Sequence, residues 1–172
     1  MNFLRASGGI LFFERGCCGI RVVAFGSDPG VNDLIDELFV VNRDVVMSPK
    51  KIALVGHCGP DSSYLRMTIS SAIKNAKILS ADDDAELSQV LGEEVDLMLF
   101  NRELGYGFSE TEGVKFIERL HRTNPTLKMM LVSNYPEAQA AAIAAGALPG
   151  FGKREIGTSK VKEILRGAVE TQ

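Results

Sequence analysis

Apolar residues run unbroken from Leu97 to Phe100 within the stretch Val95 to Leu104 (VDLMLFNREL), and polarity returns at Asn101, Arg102 and Glu103. A short continuous apolar run suits a strand buried on both faces at the centre of a parallel sheet. Such a strand delivers its last residue to the carboxyl edge of the sheet, where open α/β folds place their sites. That residue is Asn101.

The rest of the chain from Met47 onward alternates around this stretch. Lys51 to Val55 (KIALV) predicts a buried strand. Asp61 is placed to cap a helix running to about Asn75, with Leu65, Ile69, Ala72 and Ile73 on one face. Ala76 to Ser80 reads as a second strand. Asp83 and Glu86 stand at capping-box spacing ahead of a helix carrying Leu87, Val90 and Leu91. After the central strand, Gly105 to Gly113 (GYGFSETEG) is a loop leading to a helix with Val114, Ile117 and Leu120. Lys128 to Val132 (KMMLV) is the fourth strand and delivers Ser133 and Asn134. Pro136 suits the first turn of an alanine-rich helix that runs through Ala145 and stops at Gly146. Gly150 to Gly152 predicts a very short fifth strand delivering Lys153. Thr158 then caps a last helix with Val161, Ile164, Leu165 and Ala168 inward, and no effector domain is expected after it. Repeated strand–helix units imply a parallel sheet covered by helices on both faces, because parallel strands need crossover connections.

Residues 1–46 do not follow this rhythm. Gly9 to Phe13 and Ile20 to Phe25 are candidate strands, Gly26 to Gly30 (GSDPG) a turn, and Val31 to Val40 a candidate short helix. Met47-Ser-Pro-Lys-Lys leads directly into the first patterned strand. We therefore expect the folded domain, and the natural translation start with it, near Met47. Residues 1–46 would be a leader that is poorly ordered or loosely packed.

Composition narrows the function classes. The 172 residues are 45% hydrophobic and 24% charged, which is ordinary for a globular protein with a sizeable core. A net charge of −3 argues against a dedicated nucleic-acid binder, and no apolar run reaches the roughly 20 residues needed to span a membrane. Cys17, Cys18 and Cys58 offer neither a disulfide framework nor zinc spacing, which points to the reducing cytoplasm.

The succession KIALVGHCGPD, VDLMLFNREL, KMMLVSNYPEAQAAAIAAGA and GFGK resembles the receiver domains of two-component response regulators, over about Lys50 to Thr171. The resemblance implies the CheY-like, flavodoxin-like (βα)5 fold with strand order 2-1-3-4-5. It also implies a phosphorelay pocket. In receivers a strand-end Asp accepts phosphate, two acids after the first strand hold Mg²⁺ with it, and a Ser or Thr and a Lys contact the phosphoryl oxygens. Carried over by position, the acceptor place is Asn101, the hydroxyl place Ser133 and the lysine place Lys153. The acidic pair falls at Gly56, His57 and Cys58.

An amide is a poor nucleophile and brings no charge to a metal that prefers hard oxygen ligands. Gly56 has no side chain, His57 offers nitrogen and Cys58 soft sulfur, while Asp61 survives nearby. No aspartyl-phosphate relay and no metal or cofactor are expected from this degenerate pocket of His57, Cys58, Asp61, Asn101, Ser133, Asn134 and Lys153. Asn101 is instead a candidate hydrogen-bond hub joining Ser133, Lys153 and loop amides. Lys153 needs an answer to its charge, from Glu103, Asp61 or a bound anion. Phe151, two residues before Lys153, should share its face by alternation, unlike the outward switch aromatic of the family. Tyr106 and Phe108 mark the Gly105 to Gly113 loop either as a binding loop or as a plug over the pocket.

The expected function is thus an atypical receiver in signal transduction, not an enzyme, working independently of phosphate through protein partners or a second copy of the chain. The resemblance places that contact on the last two helices. The alternatives are a conventional phosphorelay member with an unrecognised acceptor, and a small-ligand or catalytic protein using His57, Cys58, Asn101 and Lys153.

Overall fold

A computed structural model describes residues 3–6, 9–16, 19–25 and 48–170. The chain divides into two compact units, Met1–Met47 and Ser48–Gln172. In the first, strands β1 (Phe3–Ala6), β2 (Gly9–Gly16) and β3 (Gly19–Phe25) form an antiparallel sheet in that order. The pairs Phe3 with Phe12 and Phe12 with Val23 set its register. The strands expected at Gly9 to Phe13 and Ile20 to Phe25 fall inside β2 and β3, and β1 was not foreseen. The turn at Gly26 to Gly30 and the helix at Val31 to Val40 lie outside the described residues.

The second unit alternates strand and helix: β4 (Lys51–Val55), α1 (Gly59–Ala72), β5 (Lys77–Ala81), α2 (Asp84–Gly92), β6 (Leu97–Asn101), α3 (Gly113–Thr123), β7 (Met129–Val132), α4 (Pro136–Ala144), β8 (Leu148–Phe151) and α5 (Ser159–Glu170). The five strands are parallel in the order β5-β4-β6-β7-β8, which is the flavodoxin-like 2-1-3-4-5 winding. Side-chain alternation along each strand divides the core in two. Ala53, Val55, Met98, Phe100, Met129 and Leu131 face Leu87, Val90, Phe116, Ile117 and Leu120 on α2 and α3. Ile52, Leu54, Leu97, Leu99, Met130 and Val132 face Leu65, Ile69, Val161 and Leu165 on α1 and α5. All four residues Leu97 to Phe100 are fully buried, the two-sided burial that an uninterrupted apolar run requires. No helix among the described residues is long and apolar enough to cross a membrane.

Local signals hold at several helix ends. The Asp83 carboxylate accepts the Glu86 backbone N–H at 2.7 Å, and the Glu86 carboxylate reaches back to the Asp82 N–H at 2.8 Å. Thr158 Oγ1 accepts the Val161 N–H at 3.4 Å. Gly146, with φ of 100°, takes the left-handed conformation that ends α4. Three expectations need correction. Helix α1 starts two residues before Asp61, with Pro60 in its opening positions and Cys58 as N-cap, so Asp61 does not cap it, and the helix ends at Ala72 rather than Asn75. The second strand is Lys77–Ala81, one residue later than read. The fifth strand is Leu148–Phe151, and Lys153 begins a 3₁₀ turn (Lys153–Glu155) instead of extending the strand.

Candidate functional site

The carboxyl edge of the sheet gathers the ends of β4, β6, β7 and β8. Asn101, the last residue of β6, is half-buried, and both N–H donors of its amide, together with one acceptor position of its oxygen, are committed to backbone. Nδ2 donates to the Gly56 carbonyl at 2.9 Å and to the Glu103 carbonyl at 2.8 Å, while Oδ1 accepts the Arg102 N–H at 2.9 Å. Asn101 is thus a hub of a different kind from the one expected, since its partners are the β4–α1 and β6–α3 loop backbones and not Ser133 or Lys153. Gly56 adopts φ of 67°, the left-handed region that favours glycine, and a Cβ there would displace the end of the Leu104 side chain, so a side chain at this position carries backbone strain.

Lys153 donates to Asp61 Oδ2 at 2.7 Å, with the two side chains 31% and 24% exposed. Asp61 is the counter-charge of Lys153. The Lys153 ammonium beside Asp61 holds that carboxyl below the ordinary aspartate range, and the Cys58 thiol adds a further hydrogen bond. His57 is only 6% exposed, and its Nε2 lies 3.1 Å from the Leu99 carbonyl, which fixes the proton on Nε2. Its Nδ1 is buried without a partner. Burial is the main reason its pKa falls to about 4, and Lys153 lowers it further, while the Leu99 bond and Asp61 act against the shift. At neutral pH His57 is an uncharged imidazole. Cys58, by contrast, is exposed, so the neighbouring His57 and Cys58 do not converge as base and nucleophile.

Ser133 is buried at the end of β7, and its Oγ accepts the Tyr135 N–H at 3.2 Å. Asn134 Oδ1 accepts the Arg154 N–H at 3.1 Å, tying the β7–α4 loop to the 3₁₀ turn. A cavity of about 160 Å³ lies between these groups, lined by Asn101, Arg102, Glu103, Ser133, Asn134, Tyr135 and Lys153. Arg102 and Tyr135 were not foreseen. They come from different loops, with the guanidinium carbon 4.5 Å above the Tyr135 ring.

Tyr106 and Phe108 part company. Tyr106 is fully exposed at the tip of its loop, whereas Phe108 is buried edge-on against Phe116 with ring centroids 6.0 Å apart. Neither lines the cavity, so they do not plug it. The loop is pinned by Ser109 N–H to Asp84 at 2.8 Å and by Leu104 N–H to the Thr111 carbonyl at 2.8 Å. Phe151 is 2% exposed within the α1–α5 side of the core, while Lys153 stands half-exposed. Strand geometry ends between them, so alternation does not carry Lys153 onto the face of Phe151.

The donor set does not fit magnesium. Asn101 is neutral with its amide engaged, Gly56 has no side chain, His57 is turned to Leu99, and Asp61 is held by Lys153. Among the described residues no group of three or more His, Cys, Asp or Glu side chains is placed to hold a metal.

The winding defines the class of fold: this is the flavodoxin-like, CheY-like fold. Among solved structures it is similar to the signal receiver domain of an HD domain-containing protein from Pseudomonas fluorescens Pf-5, at 23% identity and a TM-score of 0.61 over 73% of this chain and 90% of that one. The signal receiver domain of a DNA binding response regulator protein from Colwellia psychrerythraea 34H matches at 16% identity and a TM-score of 0.58, over 71% and 99% of the two chains. A CheY-like response regulator receiver domain protein from Methanospirillum hungatei JF-1 matches at 22% identity and a TM-score of 0.54, over 70% and 97%. No family model and no curated protein matches the sequence.

Proposed function

We propose that residues 48–170 form a signalling module of the receiver type that works without phosphotransfer, by binding another protein. The observation that carries this reading is the Asn101 amide, uncharged and with both its donors held by backbone at the place where a receiver presents its acceptor carboxylate. The Lys153–Asp61 pair supports it, because the lysine that would steady a phosphoryl group already has a carboxylate.

The binding surface on this reading is α4 with β8. Ala140, Ala141, Ile143 and Ala144 leave the exposed side of α4 almost without charge. Beside it runs an open groove of about 590 Å³, lined among others by Pro136, Gln139, Ala140, Ile143, Pro149 and Gly150. An exposed apolar helix face flanking a groove is a protein-contact signature.

Two measurements test the proposal. The full chain is incubated with acetyl phosphate and Mg²⁺, and separately with beryllofluoride, then followed by intact mass and amide NMR spectra. No mass gain of one phosphoryl group and no shifts at Asn101 or Lys153 are expected; a phosphoryl adduct on any aspartate would overturn the phosphate-independent reading. Proteins retained by the immobilised chain are then compared with those retained by Ile143→Arg. Partners that bind both forms equally would remove α4 as the contact surface.

A further inference from the structure

Gln139 lies four residues into α4, and its amide reaches across to the sheet edge. Nε2 stands 3.0 Å from the Leu131 carbonyl, 3.1 Å from that of Ser133 and 3.0 Å from that of Phe151. An amide nitrogen carries two hydrogens, so at least one of them is shared. The three carbonyls belong to β7, to the loop that follows it, and to the last residue of β8. The ladder between β7 and β8 has a register shift between Met130 and Val132, where strand pairing is locally lost and Leu131 lies. Buried carbonyls beside such an irregularity call for donors. Gln139 supplies one to all three, and the Phe151 carbonyl also accepts the Ser133 N–H.

Position 150 is built to admit that side chain. A Cβ on Gly150 would collide with the Leu131 carbonyl and lie 2.6 Å from Gln139 Oε1. Gly150 and Gln139 therefore form a matched pair, the missing side chain of one making room for the amide of the other.

Gln139 lines the groove, Lys153 lines the pocket, and Ser133 and Asn134 line both. Around the Gln139 amide, the Ser133 N–H donates to the Phe151 carbonyl at 3.1 Å, the Tyr135 N–H to Ser133 Oγ and the Arg154 N–H to Asn134 Oδ1. We propose that Gln139 is a strap coupling the groove to the pocket: an occupant of the groove that engages or displaces this amide repositions Ser133 and the β7–α4 loop with it. The coupling needs no phosphate and no titrating group, because it runs through one neutral side chain that holds the Ser133 carbonyl where the two surfaces meet.

The test uses the full chain, wild type against Gln139→Met, which keeps length and bulk but removes both donors. Amide hydrogen exchange is read at Ser133, Tyr135 and Arg154, with Gly56, bonded to Ala81 on the other side of the sheet, as control. Protection at the three reporters is expected to fall about tenfold or more, the scale of one lost hydrogen bond, with Gly56 changed less than about twofold. Equal protection changes at reporters and control, whether nil or global, would overturn the proposal. A groove substitution, Ala140→Phe, is then made in both backgrounds. It is expected to shift the Ser133 and Lys153 amide resonances in the wild type and to leave them in place with Gln139→Met. Shifts of equal size in both backgrounds, or in neither, would refute the coupling.

Discussion

Replacing Asn101 by Asp restores, on paper, the carboxylate of a phosphate acceptor, and the structure says what that would cost. In Asn101→Asp the oxygen that accepts the Arg102 N–H survives. The nitrogen that donates to the Gly56 and Glu103 carbonyls at 2.9 and 2.8 Å becomes an oxygen facing two oxygens. Two hydrogen bonds are lost and two carbonyls are left seeking donors, at about 1–3 kcal/mol for each where water cannot replace the partner. Asn101 is half-buried, so water answers part of that demand, and we expect a loss of about 2–4 kcal/mol at pH 7. The sign of the pH dependence is also set. A carboxyl held against two carbonyl oxygens is stabilised when protonated, because only then can it donate, so its folded pKa lies above the unfolded value of about 3.9. The folded variant then binds more protons than the unfolded one, and its stability falls as pH rises through that window. Urea denaturation of wild type and variant at pH 7 and pH 5 measures both effects. The midpoint gap should be on the order of 1–2 M at pH 7 and smaller at pH 5. A variant as stable as wild type at pH 7 would refute the role given to the two Asn101 donors. Phosphorylation of the variant by acetyl phosphate and Mg²⁺ would refute the claim that Gly56, His57 and Cys58 leave no metal cradle.

His57 should give the wild type an acid-labile component of stability. Its folded pKa of about 4 lies below the ordinary 6.5, so the unfolded chain binds the extra proton and stability is lost as pH falls from about 6.5 towards 4. That window is worth roughly 3 kcal/mol at about 1.4 kcal/mol per pH unit, and the gap between wild type and His57→Gln should close by that order on acidification, whereas parallel stability curves would contradict the assignment. Lys153→Met should let the Asp61 carboxyl titrate upward towards the ordinary aspartate range, as read by carboxyl-carbon NMR, and an unmoved Asp61 would mean that the 2.7 Å pair does not exist in solution. Phe108→Ala should cost about 3 kcal/mol because it empties a buried site against Phe116, while Tyr106→Ala should leave the denaturation midpoint unchanged.

What could be read from the chain was local. The run Leu97 to Phe100, the Asp83 cap on the Glu86 N–H and the stop at Gly146 are each decided by residues within one element, and each is present. What could not be read was set by partners far away in the chain. Asp61 has the residue type of a cap, but Pro60 draws the helix start back to Gly59, and the freed carboxylate meets a lysine 92 positions on. Arg102 and Tyr135 are unremarkable polar loop residues until two loops bring them together. Phe151 and Lys153 defeated alternation because a four-residue strand gives way to a 3₁₀ turn between them. The Gln139 amide answers a register shift, which no periodicity reports.

The charges in and around the pocket account for one another. Lys153 is paired with Asp61 and Arg102 with Glu103, while Asn101 and, at neutral pH, His57 contribute none. Exposed ion pairs of this kind hold weakly, and either could open to an incoming group. What distinguishes the cluster is that both donors of the Asn101 amide are held by backbone and Lys153 has its counter-charge, while the Nδ1 of His57 stays buried without a partner. This pocket, on the proposed reading, exerts little differential pull on a phosphate, and a ligand shifts a conformational equilibrium only by its differential affinity for the two states. On the proposed reading, a change of state must then enter from the groove side, where the exposed face of α4 is apolar. Gln139, bonded to the Ser133 carbonyl, is a side chain through which such a change would reposition Ser133.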